Sequence, residues 1–388
     1  MFSGEQPVNE RMGPMNIGCD GRALVGSRTG VGIWTEQVIG GLAGSGIGRV
    51  FVAASKALDL ESVEDQPGLT VVPPPTRPIL GPVWLNSTVP RLARELDLDV
   101  WIGSLAILPW NCPIPTVSMI HDLTPRTHPQ HHTLANRMVF RLFLERSIKT
   151  ADVVVAGSEA TRNEVLKAFP WVEPKLERIG YGVDEWFSPT SVDDDGADTR
   201  DRFANGKPYV LHLGTIEPRK GIIDLVAAWE RHVETADDAP DLVIAGKPGW
   251  HTEPIFDRIK ASPLAARIHL PGYVSREDTR ELLRHAEVFV LASEAEGFGL
   301  PLAEAVSCGT PAMASDIPVL RETGGDAVVY CPVNEPDALA GTLAEALDPA
   351  VADRLRARAA ERAPELRWGP VVDAWVELVE RVVSNRRA

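Results

Sequence analysis

The stretch Glu296-Gly297-Phe298-Gly299-Leu300-Pro301-Leu302-Ala303-Glu304 decides how this chain folds, because it joins a strand to a helix through a glycine-bearing turn. The apolar run 288–292 before it predicts a strand, and the run 302–307 predicts a helix. Free backbone N–H groups at such a helix start attract anions such as phosphates. The two flanking glutamates, by contrast, need neutral hydroxyl groups as partners. The segment therefore predicts a ligand with both features, such as a sugar joined to a nucleoside diphosphate.

The same alternation of strands and helices runs through both halves of the chain. Strands are predicted at 16–20, 50–53, 69–72, 100–103, 116–120, 153–156, 209–213, 242–245, 267–270, 288–291, 311–314 and 327–330. Helices are predicted at 34–42, 133–149, 160–169, 222–234, 276–285, 336–346 and 371–383. This alternation favours parallel sheets that are covered on both faces. We therefore expect an α/β protein.

A change of composition divides the chain. Residues 188–207 hold Pro189, an acidic run and Gly196, and they lack apolar periodicity, so they predict a solvated linker. We expect two facing Rossmann-like domains, residues 14–187 and 208–370, on either side of it. Ligands of such folds bind at the carboxyl ends of the strands, which places the expected site in the cleft between the domains.

Composition limits the classes of partner. The chain has 388 residues, enough for two cores, and a formal net charge of −15, which argues against nucleic-acid binding. Its four cysteines lie far apart, so we expect reduced thiols. No apolar run approaches the ~18 residues of a membrane span, and residues 1–13 lack the apolar stretch of a signal peptide. We expect a cytoplasmic enzyme, with peripheral contact at the inner face of a membrane left open.

A basic pair follows the first strand of the second half. Gly214 lets the chain turn at the strand end, Pro218 stiffens the loop, and Arg219 and Lys220 then reach toward the cleft. Two fixed cations suit a diphosphate leaving group, because negative charge grows there as the glycosidic bond breaks. A solvated basic pair beside a loop is the alternative.

The two glutamates have separate predicted roles. Glu304, within the helix, can accept hydrogen bonds from ribose hydroxyls, and Glu296, on the loop, can reach hydroxyls of the transferred sugar. The backbone amides of residues 297–300, which surround Phe298, would meet the sugar and the phosphates. Two glutamates that merely stabilise a helix start through its dipole are the alternative.

Two further loops are candidates for donor contacts. Gly30-Val31-Gly32, after Thr29, would let the backbone of the first domain approach the ligand, although a plain tight turn explains the same glycines. The loop that carries Tyr273 and Val274 would hold the nucleobase through backbone groups. Ser275 is predicted to cap the helix that follows.

His121 ends a predicted strand, and more histidines follow at His128, His131 and His132. Clustered histidines suggest a metal site. However, His131 and His132 are adjacent, and no cysteine or carboxylate set completes the site. We therefore expect no metal, and a His121 side chain that donates to the sugar or its acceptor; a structural histidine is the alternative.

The order of these motifs resembles the retaining glycosyltransferase family four, which has the fold called GT-B. The match runs over nearly the whole chain, and it is similar to mannosyl- and rhamnosyltransferases of polysaccharide assembly. The matching pieces are Thr29-Gly30-Val31-Gly32, His121-Asp122-Leu123-Thr124-Pro125, Gly157-Ser158-Glu159-Ala160-Thr161, Tyr181-Gly182-Val183-Asp184, residues 214–220, Ala245-Gly246-Lys247, Gly272-Tyr273-Val274 and residues 296–304.

The resemblance implies roles for single residues. Arg219 and Lys220 would bind the donor diphosphate, Glu304 the ribose and Glu296 the donor sugar, while His121 would sit near the reacting carbon. It also implies catalysis without a metal or other cofactor, and a C-terminal helix, within residues 371–388, that crosses back onto the first domain. One departure is that this chain has a glycine at position 221, where many members have asparagine.

Together these features predict a retaining hexosyltransferase. It would move mannose, rhamnose, glucose or a similar sugar from a GDP-, UDP- or dTDP-linked donor to a hydroxyl of a sugar, lipid-linked or small-molecule acceptor. The open alternatives are a nucleotide-sugar epimerase, an enzyme that couples a sugar-like cyclitol on the same fold, and a noncatalytic partner subunit.

Overall fold

Two parallel sheets organise the chain, one in each half. The computed structural model describes residues 13–26, 29–58, 66–77, 79–191 and 194–387. The predicted α/β class and the two Rossmann-like domains are confirmed. No helix among the described residues is both long enough and apolar enough to cross a bilayer.

The first sheet has seven strands in the order β3-β2-β1-β4-β5-β6-β7. The strands are β1 (Met15–Asp20), β2 (Gly48–Ala53), β3 (Leu69–Val71), β4 (Val100–Gly103), β5 (Thr116–Ile120), β6 (Val153–Ala156) and β7 (Leu176–Arg178). The helices around it are α1 (Gly30–Gly44), α2 (Gly81–Ser87), α3 (Val89–Glu95), α4 (Thr124–Thr127), α5 (Leu134–Thr150) and α6 (Glu159–Ala168). The strand order reverses between β1 and β4, and ligands bind beside such a switch point.

The second sheet has six strands in the order β10-β9-β8-β11-β12-β13. The strands are β8 (Tyr209–Leu213), β9 (Asp241–Ala245), β10 (Ile268–Gly272), β11 (Val288–Leu291), β12 (Ala312–Ser315) and β13 (Val328–Cys331). The helices are α7 (Ala197–Ala204), α8 (Ile222–Thr235), α9 (Glu253–Lys260), α10 (Arg276–His285), α11 (Leu300–Ser307), α12 (Pro318–Gly324), α13 (Pro336–Leu347), α14 (Pro349–Arg362) and α15 (Trp368–Arg387). Its switch point lies between β8 and β11, the two strands that lead into the basic pair and the glutamate loop.

The central strands are apolar runs because both faces of a parallel sheet are covered. Every residue of β8, β9 and β11 is buried. One apolar core continues from the first sheet into the second, and it includes Ile17, Leu211 and Trp375. The last helix, α15, completes this core by packing on α1, where the rings of Trp34 and Trp375 lie 5.4 Å apart.

The segment predicted to be a solvated linker is not all linker. Residues 197–204 form α7, whose Thr199 and Ala204 are buried, and the helix packs against α10, β9 and β10 of the second domain. The few apolar side chains of α7 are too widely spaced to reveal an amphipathic helix from the sequence. Residues 192 and 193, the second of which begins the acidic run, lie outside the described residues.

Candidate functional site

The loop after β8 turns through glycines. Gly214 has a φ of +150°, which residues with a side chain rarely adopt, and it leads to a short 3-10 turn, Pro218–Lys220. Gly221 then takes a left-handed φ of +63°. A methyl group there would lie 2.2 Å from the carbonyl oxygen of Ala292. Glycine is thus required by both backbone and packing, which explains the departure at position 221.

Arg219 and Lys220 form a partly buried ion cluster with Glu296. The Lys220 Nζ donates to Glu296 Oε1 at 2.6 Å, and the Arg219 Nη1 lies 3.3 Å from Glu296 Oε2. Arg219 also donates through Nη2 to Glu217 Oε1 at 2.6 Å. The Ser293 hydroxyl donates to Glu296 Oε1 at 2.7 Å. The structure therefore brings the basic pair and the glutamate loop together, while their predicted roles toward a donor stay predictions.

The charges in this cluster balance. Burial alone would raise the pKa of Glu296, but the Lys220 and Arg219 cations outweigh it and lower that pKa to about 2. The same cluster raises the pKa of Arg219 despite its burial, mainly through Glu296 and Glu217. Lys220 uses one of its three N–H donors for Glu296. Donors are thus left for an anion in front of the cluster.

Glu304, unlike Glu296, has no cation of the described chain at hydrogen-bond distance. It lies one turn into α11 and is buried, and among the described residues its carboxyl group has no hydrogen-bond or ion-pair partner. Burial raises its pKa to about 8, and the nearby Arg276 opposes this only in part. A buried carboxyl group without a partner costs stability, which is typical of a ligand site.

The turn between the two glutamates leaves its backbone N–H groups open. Gly299 has a left-handed φ of +87° and starts α11. In the described part of the chain, no hydrogen bond involves the amides of residues 297–300, whereas the amides of Leu302 and Ala303 bond to the Gly299 carbonyl. The helix start can therefore accept an anion, as its glycines predicted.

His121 is held by the first domain on both sides of its ring. Its Nε2 lies 2.7 Å from the Ser104 carbonyl oxygen, to which it can only donate. Its Nδ1 then accepts from the Tyr181 hydroxyl. Burial lowers the pKa of His121 to about 4, so the ring is neutral. A bond from His121 to a sugar, which stays a prediction, would have to replace one of these two.

The two domains meet at the glutamate loop. A methyl group on Gly297 would lie 2.5 Å from the His121 carbonyl oxygen, so the backbones touch there. The ring of Phe298 stacks on Tyr181, with centroids 4.8 Å apart. A methyl group on Gly30 would be 4.0 Å from Leu300. His121, Gly30 and the glutamate loop therefore share one cleft.

Three other predicted residues lie around this centre. Gly32 donates from its amide to Thr29 Oγ1 at 3.3 Å, and a methyl group there would meet the Ala23 carbonyl, so packing inside the first domain explains it. Tyr273 is exposed and Val274 is partly buried. Both follow β10, at the same edge of the sheet as Gly214.

Sequence reasoning missed several residues of the site. Glu217 and Ser293, which hold Arg219 and Glu296, were not singled out, although both lie within three residues of those partners. His131 Nε2 lies 2.9 Å from Glu294 Oε2 and so joins the domains. That contact spans 163 positions, which no local pattern could have revealed.

Two facing parallel-sheet domains with this cleft define the GT-B class of glycosyltransferases. The comparisons with known proteins agree: residues 28–187 match the family described as Glycosyltransferase Family 4. Residues 197–366 match the family described as Glycosyl transferases group 1. The chain belongs to these glycosyltransferases.

Curated relatives share about a quarter of their aligned residues with this chain. O-antigen chain mannosyltransferase B from Escherichia coli is 28% identical over 254 residues, which are 65% of this chain and 66% of the relative. Serotype-specific mannosyltransferase WbdA from the same species is 27% identical over 66% of this chain but only 31% of the relative. Alpha-maltose-1-phosphate synthase from Mycolicibacterium smegmatis is 28% identical over 72% of this chain and 76% of the relative. The chain thus spans under two thirds of the first two relatives.

Solved structures share the fold. A sucrose-phosphate synthase from Thermosynechococcus elongatus superposes with a TM-score of 0.77 at 20% identity, covering 96% of this chain and 100% of that one. The Anabaena protein HepE, solved in complex with UDP and glucose, superposes with a TM-score of 0.74 at 17% identity, covering 95% and 100%.

Proposed function

We propose that this protein transfers a hexose from a nucleoside diphosphate sugar to an acceptor hydroxyl, with retention at the anomeric carbon. The observation that carries the proposal is the glutamate loop. It combines a buried carboxyl group without a protein partner, Glu304, with open amides at a helix start and the neighbouring cations Arg219 and Lys220. A ligand with ribose hydroxyls next to a diphosphate satisfies all of these groups at once.

In the proposed reaction the second domain holds the donor. Glu304 accepts hydrogen bonds from the ribose, while Arg219, Lys220 and the amides of residues 297–300 stabilise the diphosphate as it leaves. Glu296 is already ionised, because its pKa is about 2, and it accepts from hydroxyls of the sugar. Since these groups supply the positive charge, the reaction needs no bound cation.

The acceptor comes from the first domain and attacks on the face from which the diphosphate departs. A bond forms between the acceptor oxygen and the anomeric carbon, and the bond from that carbon to the phosphate oxygen breaks. The hydroxyl proton passes to the departing phosphate oxygen. Closure of the two domains excludes water, which would otherwise attack the anomeric carbon and hydrolyse the donor.

The names of the relatives favour particular sugars for the transferred group. Two of them are mannosyltransferases, one of the O-antigen chain, which supports a mannosyl donor and an acceptor in polysaccharide assembly. The solved relative with UDP and glucose supports a nucleoside diphosphate in the cleft. GDP- and UDP-linked donors offer Glu304 two ribose hydroxyls, and a dTDP-linked donor offers one on its deoxyribose. All three share the diphosphate and the sugar that the rest of the glutamate loop would contact.

A thermal-shift panel with UDP, GDP, dTDP and ADP tests the donor site, because a ligand that binds the native state raises Tm. We expect one nucleotide to raise Tm of the wild type and to raise that of Lys220→Ala or Glu304→Gln far less. Lys207→Ala, a change at an exposed lysine, serves as the control and should respond like the wild type. If a nucleotide stabilised all four proteins equally, the donor site would not include Lys220 and Glu304. If no nucleotide raised Tm of the wild type, the proposal itself would be contradicted.

A further inference from the structure

Exposed apolar side chains are concentrated on the first domain. Among the described residues, three large exposed ones belong to the second domain, Ile223, Leu270 and Tyr273. Those of the first domain are Leu80, Val83, Trp110, Leu134, Met138, Leu142 and Trp171. Such a concentration marks an interaction surface rather than ordinary scattered exposure.

Helix α5 carries the centre of this surface. Leu134, Met138 and Leu142 lie four residues apart, so they share one face of the helix, and their exposures are 76%, 58% and 62%. The other face packs into the core of the first domain through Leu144 and Ile148, which are buried. The helix therefore has apolar residues on both sides, and only one side has a partner within the described chain.

The exposed face is also basic. Arg137 and Arg141 lie beside the apolar row, Arg146 and Lys149 follow, and Glu145 is the one acidic residue of the helix. The whole chain has a net charge of −15, whereas the net charge of this helix is positive. A basic surface on an acidic protein orients it toward anionic partners.

Aromatic rings extend the surface on the side of the helix C-terminus. The Trp110 ring stacks on Phe143 of α5 with centroids 5.7 Å apart, and the Arg146 guanidinium lies 4.8 Å over it. The Lys149 ammonium lies 5.8 Å over the Trp171 ring. Partly exposed tryptophans beside arginine and lysine are typical of the interface between lipid headgroups and acyl chains.

A groove of about 640 Å³ runs along the helix, lined by both kinds of residue. Three arginines and one acid line it together with two aromatic rings: Arg126, Arg137, Arg141, Glu145, Phe140 and Phe169. A groove of this composition offers cationic donors to a phosphate and an apolar floor to the chain attached to it.

We infer that the α5 surface, defined by Leu134, Met138 and Leu142 with Arg137 and Arg141, binds an anionic lipid bilayer. The apolar row enters the headgroup region, and the arginines pair with lipid phosphates. The surface begins three residues after His131, which bonds to Glu294 of the second domain. Docking would therefore hold the mouth of the cleft near the bilayer, where a lipid-borne acceptor hydroxyl can reach it. The inference does not depend on the proposed transfer reaction.

Co-sedimentation with vesicles tests this inference. The wild type should sediment with vesicles of phosphatidylcholine and phosphatidylglycerol in equal parts, but not with phosphatidylcholine alone, and added salt should weaken the binding. The triple variant Leu134→Gln, Met138→Gln, Leu142→Gln should bind at least about tenfold more weakly. The double variant Arg137→Glu, Arg141→Glu should lose the dependence on phosphatidylglycerol.

Matched control variants lie on the second domain. Leu270→Gln changes an exposed apolar residue of β10, and Arg354→Glu with Arg358→Glu reverses two exposed arginines four positions apart on α14. Both controls should bind vesicles like the wild type. Equal losses in the controls, or no binding by the wild type, would overturn the inference. So would a wild-type dimer that the triple variant converts to a monomer, because a second copy would then cover the surface.

Discussion

Two glutamates eight positions apart illustrate how position sets the chemistry of a side chain. Glu304 is buried and Glu296 is partly buried, yet the pKa of Glu296 falls to about 2 and that of Glu304 rises to about 8. Glu296 faces two cations at hydrogen-bond distance, whereas Glu304 meets only the weaker influence of Arg276. At neutral pH the first is therefore a fixed anion, and the second is largely a neutral acid in the free protein.

Lys220→Ala should abolish transfer while leaving the fold intact. The substitution removes the ammonium group that would stabilise the departing diphosphate, and loss of one such donor typically lowers kcat by about 10²–10³. Glu296 keeps Arg219 as a partner, so the far-ultraviolet circular dichroism spectrum should not change. Initial rates of sugar transfer measure the effect, with Lys207→Ala as the control. Near-wild-type activity of Lys220→Ala would contradict the donor-site assignment.

Glu304→Gln should stabilise the free protein at high pH. The folded-state pKa of about 8 lies above the ordinary glutamate pKa of 4.5, so the native state holds this proton more tightly. The resulting stability is fully present below the unfolded pKa and is lost as the pH rises through the folded pKa. A glutamine cannot ionise and avoids that loss.

The test compares Tm of wild type and Glu304→Gln between about pH 4 and pH 9, a range that brackets the ordinary pKa of 4.5 and the raised pKa of about 8. The difference should grow with pH in favour of the variant, up to roughly a few kcal/mol in the free energy of unfolding. The same variant should lose nucleotide-dependent stabilisation. A difference independent of pH would mean that Glu304 is already ionised in the folded state.

At the level of helices and strands, the sequence predicted the elements that position the site. β8 and β11 were predicted with the bounds that the structure shows, since a buried parallel strand is a continuous apolar run that ends in glycine or polar residues. Ser275 caps α10 as predicted, accepting from the Asp278 amide at 3.0 Å. A local sequence pattern is enough to predict an element when the residues that stabilise that element are neighbours in the chain.

The elements that were missed have causes elsewhere in the fold. β7 has only three residues and is defined by its pairing with β6. α14 is rich in arginine and alanine, and only Ala352, Leu355 and Ala359 are buried, which is too sparse a pattern to predict. The hydrogen bonds of His121 to Ser104 and Tyr181 join residues 17 and 60 positions apart, so the sequence could not show these two partners beside the predicted bond to the sugar or its acceptor.

The two domains form one unit through contacts of different kinds. α15 from the end of the chain packs on α1, and a backbone bridge joins Val183 to Arg367. The carboxylate of Glu322 accepts from the amide of Glu159 at the start of α6. Together with the close approach of Gly297 to His121, these contacts hold the two domains against each other.

Gly297→Ala should impair sugar transfer, which needs both domains, without impairing nucleotide binding. Its methyl group would lie 2.5 Å from the His121 carbonyl oxygen, closer than any real contact, so the domains would have to move apart. Misplacement of reacting groups by about 1 Å can cost about 10²-fold in rate. We therefore expect kcat to fall by roughly that factor, with a larger radius of gyration in small-angle scattering. Nucleotide-dependent stabilisation should remain, because in the proposed reaction the groups that hold the donor belong to the second domain.

Gly341→Ala is the matched control for this variant. Gly341 lies within α13, and a methyl group there would meet open space. Alanine is a better helix residue than glycine by roughly 0.5–1 kcal/mol, so this variant should gain stability and keep its kcat. If Gly297→Ala also kept its kcat, the close approach of Gly297 to His121 would not belong to the working state of the enzyme. Loss of both kcat and nucleotide binding in Gly297→Ala would instead mean that the loop itself had been distorted.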